Sequence, residues 1–169
     1  KIKERLALLE NIQLQPAEWG ILRNYKNRNG EAPLVRKFKR NAYGRVADTL
    51  GTERYQSVPL YLPTDTSVPE RYGRDGAPVR LTGNKGTFVK AEPVLIKGEW
   101  MIPKKYVKTL GDTIVFNKAV FVDRNNQNIA TLERVGKGKW AVRSMNPATT
   151  GRHLPPYAQE TPLGMFVVQ

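Results

Sequence analysis

Along the first fourteen positions the apolar residues recur at helical spacing. Ile2, Leu6, Leu9 and Ile12 fall on one face, and Lys1, Lys3, Glu4 and Glu10 are left for solvent. A second helix is predicted to open at Pro16, which suits a first helical position, and to run through PAEWGILRNY with Trp19, Leu22 and Tyr25 on one stripe before NRNG stops it. A third, short helix is predicted at NAYGRVADTLG, capped by Asn41 and closed by Gly51, although Gly44 weakens it. Trp19, Tyr25 and Tyr43 read as core aromatics.

From about residue 55 the period changes from helical to short β-rich runs punctuated by Gly, Pro, Asn and Asp. YQSVPLYLP, APVRLTG, GTFVKAEPVLI, GEWMIPKKYV and DTIVFNKAVFVD each read as strands. A hairpin follows, with DRNNQ between two β-like runs, and GKGKWAVRSM adds a third strand after a Gly-Lys-Gly turn. NPATTGRHLPPYAQETPLG is then a long Pro-, Thr- and Gly-rich loop, and Met165–Val168 reads as the start of a core strand. The fold class is therefore α+β and mainly β: N-terminal helices at residues 1–53, a small barrel at 54–111, and further strands at 112–169.

Composition narrows the chemistry. With no cysteine among 169 residues there is no disulfide, thiolate nucleophile or Cys-ligated metal, and the single histidine, His153, excludes a His-cluster metal site. No apolar run reaches the roughly 18 residues that a membrane-spanning helix needs. The net charge of +13 is spread along the chain, with a modest concentration at residues 36–40. A spread excess points to a polyanion or anionic surface in general, not to a dedicated nucleic-acid groove.

Two resemblances sit on particular residues. DRNNQNIATLER, then a strand ending in VRSMNPATTG, then a loop and ETPLGMFVVQ, resembles the opening half of the L,D-transpeptidase catalytic domain of the YkuD type. The motif positions are Thr149, Thr150 and Gly151, and Thr161, Pro162, Gly164 and Phe166. Physically these residues shape a cleft edge: the glycines reach backbone angles closed to other residues and Pro162 pre-sets a turn. Residues 54–111 resemble a divergent bacterial SH3-like barrel, carried by SVPLYL and by GEWMIPKKYV, where Trp100 would pack in or near the barrel and Tyr106 and Val107 would end it.

The first resemblance implies a cell-envelope enzyme, periplasmic, secreted or lipid-anchored, that acts on peptidoglycan stem peptides. In the family a cysteine thiolate attacks the carbonyl of the third stem residue and expels D-alanine, with no cofactor. This chain holds no such cysteine, and His153 lies upstream of the family's catalytic histidine and does not take its role. The 169 residues alone are expected to be inactive. The chain is expected to be an N-terminal portion of a longer enzyme, with the catalytic residues beyond Gln169 and the strand at Met165 at a sheet edge or paired outside it. The competing expectation is a non-catalytic basic module that docks on an anionic polymer, with Trp100 and Trp140 as stacking rings. Peptidoglycan and anionic envelope polymers are the expected partners, and nucleic acid is not.

Overall fold

A computed structural model describes residues 2–24, 57–94, 96–111, 114–151 and 164–167. It is mainly β, and every strand pairing in it is antiparallel. The chain divides into two compact units, one from residues 17–110 with 164–169 and the other from residues 1–16 with 111–163. The third helix proposed at residues 41–51 and the basic cluster at 36–40 lie outside the described residues.

In the larger unit five strands order as β6-β5-β4-β1-β7: β1 (Trp19–Leu22), β4 (Pro78–Lys85), β5 (Phe88–Pro93), β6 (Trp100–Pro103) and β7 (Val107–Thr109). A separate hairpin pairs β2 (Ser57–Leu60) with β3 (Arg71–Arg74). Strands β6 and β7 are the two edges of the five-stranded sheet, yet only the 3-10 turn Lys104–Tyr106 separates them in sequence. A flat sheet would hold those edges about 19 Å apart, at about 4.8 Å per strand. Four residue steps span at most about 14 Å. The sheet must therefore roll toward closure.

Rolling is what makes a core. The register places Gly20, Leu22, Val79, Leu81, Val89, Ala91, Trp100 and Ile102 on one face. Leu22, Val79, Val89, Ala91, Trp100 and Ile102 form the buried cluster with Val58 and Leu60 from the hairpin. Each valine, leucine or isoleucine of this cluster, fully buried, contributes about 1.5–3 kcal/mol. Pro103 ends β6 because it lacks an amide donor, so GEWMIPKKYV is two edge strands around a turn, not one strand.

The helix expected at residues 16–25 is absent. Pro16–Glu18 is a single 3-10 turn, and Trp19–Leu22 is a central strand between β4 and β7 with all four residues buried. A short apolar run covered on both faces has no polar positions to betray its period, so a buried strand looks like a helix stripe. Gly20 decides the matter. A Cβ there would stand 2.9 Å from Val107 Cγ1 and 3.2 Å from the Lys108 carbonyl, so only glycine lets the strands approach. Among the described residues the N-terminal region thus holds one α-helix, not several.

That helix, α1 (Ile2–Leu14), belongs to the smaller unit with β8 (Lys118–Asp123), β9 (Asn128–Gly136) and β10 (Lys139–Pro147), which form a three-stranded meander in the order β10-β9-β8. Leu9 and Ile12 are its buried face. Two polar ties fix it to this unit: Phe116 N donates to Gln13 Oε1 at 2.9 Å, and Arg134 makes two hydrogen bonds to Glu10, at 2.8 and 2.9 Å. Glu10, expected to face solvent, is instead half of an ion pair. On β9, Ala130 and Leu132 are buried, whereas Val120 and Val122 of β8 and Val135 of β9 lie exposed on the opposite face.

Candidate functional site

The residues expected to shape a cleft divide between the two units. Strand β10 ends at Pro147, Ala148 leads on to Thr149–Gly151, and there the β8–β9 turn meets the outgoing chain. Asp123 builds that turn: its carboxylate accepts from the backbone amides of Asn125 at 2.9 Å and Asn126 at 3.1 Å, and from Asn126 Nδ2 at 2.7 Å. This is the local competition of a short acidic side chain with backbone partners that makes Asp a turn residue.

Gln127 closes the turn with φ of 50°, a left-handed conformation uncommon for a side chain of its kind. The constraint places Gln127 where it can clamp the end of β10. Its carbonyl accepts from Ala148 N at 2.8 Å, its Oε1 accepts from Thr150 N at 3.0 Å, and its Nε2 donates to Thr150 Oγ1 and, at 2.7 Å, to the Arg124 carbonyl. The chain leaving β10 is thereby held at three points by one residue of the opposite turn. Sequence reasoning named Thr150 and missed Gln127; the Asp-x-Asn-Asn run signalled the turn but not the reach of the glutamine.

Gly164 is described with the five-stranded unit. Residues 164–167 form no strand, in contrast to the β-run expected to begin at Met165; they run as irregular chain with one backbone bond, Val167 N to Gly76 O, at 2.9 Å. Gly76 has φ of 80° and also donates from its amide to Leu22 O at 2.8 Å. Beside it Asp75 accepts from Asn24 N at 2.9 Å and pairs with Arg23 at 3.3 Å. Thr161, Pro162 and His153 lie outside the described residues.

The electrostatics around these positions are structural. The Arg134 guanidinium, hydrogen-bonded to Glu10, holds that carboxyl below its ordinary value against the opposing effect of burial, and Glu10 in turn raises Arg134. The Thr82 hydroxyl, with Lys90 beside it, lowers Glu99. Burial alone lowers Arg74. Among the described residues no group of histidine, aspartate and glutamate could hold a metal ion, and no helix is long and apolar enough to cross a membrane. Trp100, considered as a stacking ring, is buried in the core with its indole N–H bonded to the Lys97 carbonyl at 3.2 Å, so it offers no open face.

Fold and site together define a basic protein of two antiparallel β units, with a clamped strand end. No family model, curated protein or solved structure matches the chain.

Proposed function

We propose that the chain is the N-terminal part of a cell-wall L,D-transpeptidase, an SH3-like module followed by the opening strands of a YkuD-type catalytic domain, working on peptidoglycan in the cell envelope. The observation that carries the reading is the meander β8-β9-β10 running into Thr149-Thr150-Gly151, the order of elements the resemblance implies. The rolled five-stranded sheet preceding it supports the barrel half of the same reading.

The division of labour is then physical. The Gln127 clamp fixes the direction in which the chain leaves β10, and a fixed rim is what positions an acyl donor against a nucleophile. The 169 residues hold no cysteine, so the reaction requires a thiolate from outside them. Reading the coding sequence past Gln169 is the test: a cysteine with a histidine upstream of it, in strand and loop context, supports the proposal, and a downstream sequence without a cysteine ends it. A second reading, a non-catalytic basic module for an anionic polymer, draws on the lysines of the five-stranded unit.

A further inference from the structure

On the face of the five-stranded sheet opposite the core, the register sets Lys85 across from Phe88, and Phe88 across from Pro103. Tyr61, just beyond β2, pairs in the sheet plane with Met101 of β6. The Tyr61 and Phe88 rings meet edge to face, with centroids 5.5 Å apart and planes at 81°. Met101 on this outer face is only 1% exposed, beside that aromatic pair. The pair is a firm apolar shelf, because edge-to-face packing fixes both rings.

Cations gather at one end of the shelf. The β4–β5 hairpin turns at Gly86, with φ of 58°, and Lys104 N donates to the Thr87 carbonyl at that turn, at 2.9 Å. The hairpin and the 3-10 turn thus bring Lys85, Lys104 and Lys105 around one loop, all three exposed. Lys105 Nζ lies 5.0 Å from the centroid of the Tyr106 ring. Three acids of this unit are engaged elsewhere: Glu18 pairs with Arg80, Asp75 with Arg23, and Glu99 with Lys90 and Thr82. Among the described residues no carboxylate pairs with Lys85, Lys104 or Lys105.

We propose that Lys85, Lys104 and Lys105, with the Tyr61–Phe88 shelf beside them, form a docking surface for a phosphodiester-linked glycopolymer. Lysine ammoniums are compact point charges suited to successive phosphates, and three of them around one turn concentrate a positive field there. The shelf takes the apolar faces of polyol or sugar units between the phosphates. Single-stranded nucleic acid fits less well, since it stacks base after base on open aromatic faces, whereas these two rings are half-buried and packed against each other. The choice of an envelope polymer rests on the envelope reading above; the surface itself does not.

The test is binding of the full chain to soluble poly(glycerol phosphate), followed by fluorescence anisotropy at low and moderate salt. The variant Lys85→Gln/Lys104→Gln/Lys105→Gln is compared with Lys118→Gln/Lys137→Gln/Lys139→Gln, which removes the same charge from the other unit. Circular dichroism checks that both fold. The patch variant is expected to weaken binding at least about ten-fold and to flatten the slope of log K against log salt by about 3, and the control by less than about two-fold. Equal losses in the two variants, or no loss in either, overturn the docking surface. Tighter binding of single-stranded DNA than of poly(glycerol phosphate), lost in the same patch variant, overturns the choice of partner. A downstream coding sequence without cysteine would remove the enzyme reading and leave these outcomes unaffected.

Discussion

The two units solve the problem of a small β sheet differently. The five-stranded one joins its outermost strands, β6 and β7, through a three-residue turn and rolls over a shared core that includes Trp100, Leu22, Ile102 and the hairpin residues Val58 and Leu60, with Tyr61 paired to the outer side of β6. The three-stranded one stays open: α1 supplies Leu9 and Ile12, β9 supplies Ala130 and Leu132, and Val120 at 62% and Val135 at 56% exposure stand on the far face. Three strands with a packed helix are near the lower limit of independent stability. Closure converts strand number into burial, and an open meander must draw on polar ties such as Arg134–Glu10 and Gln127–Thr150 for its order.

The largest effect is expected in the closed unit. Leu22→Ala empties a fully buried site in the central strand and should cost about 2–5 kcal/mol. Gly20→Val should cost about 1–3 kcal/mol by overpacking against Val107, and it separates the strand from the helix alternative, because an exposed helical position would be slightly stabilised by valine in place of glycine. In the open unit, Leu132→Ala should fall near the lower end, about 2 kcal/mol, since its surroundings can collapse more readily. Native-state hydrogen exchange reads both units in one experiment: amides of β1 and β5 should be protected more strongly than those of β9, and equal protection would break the comparison.

Smaller effects sharpen it. Gln127→Ala should cost about 1 kcal/mol for the lost clamp, while Gln127→Gly, which gives up the same bonds but relaxes the left-handed backbone, should cost less. Glu10 adds a pH signature. Its folded carboxyl titrates below its ordinary value, so the folded state binds that proton more weakly than the unfolded chain does. Its stabilising contribution is therefore complete above about pH 4.3 and is lost as the pH falls through the lower folded value. Thermal melts of Glu10→Gln should lose that part of the acid dependence, and an unchanged profile would remove the ion pair from the account of the open unit.

How much of this was legible in the sequence depended on whether polar residues marked the period. The β8–β9–β10 meander is legible with its turns because DRNNQ and Gly-Lys-Gly interrupt alternating runs, although the strand expected over DTIVFNKAVFVD begins only at Lys118, with irregular chain at 114–117, and α1 is legible because charged residues flank its stripe. Trp19–Leu22 carries the pattern of a helix stripe because nothing polar interrupts it and its neighbours in the sheet come from residues 78–80 and 107–109, far along the chain. Glu10 was placed in solvent for the same reason: its partner, Arg134, is 124 residues away. Of the candidate site, the Thr149–Gly151 stretch could be named from its motif, but the clamp by Gln127 depends on a positive φ that glutamine does not advertise. The lysine and aromatic surface depends on a hairpin folding back onto a 3-10 turn, which a strand pattern alone does not encode.

The central claim is acyl transfer on peptidoglycan, and mass spectrometry of the product of the complete coding sequence with a tetrapeptide stem substrate tests it most directly. In the proposed reaction a thiolate attacks the carbonyl of the third stem residue, the amide bond to the terminal D-alanine breaks, and the amine leaves with a proton while a thioester forms. Release of D-alanine is expected, together with a protein adduct carrying the remaining acyl group, discharged when an acceptor amine is added. A folded, complete protein that forms no adduct and releases no D-alanine would contradict it.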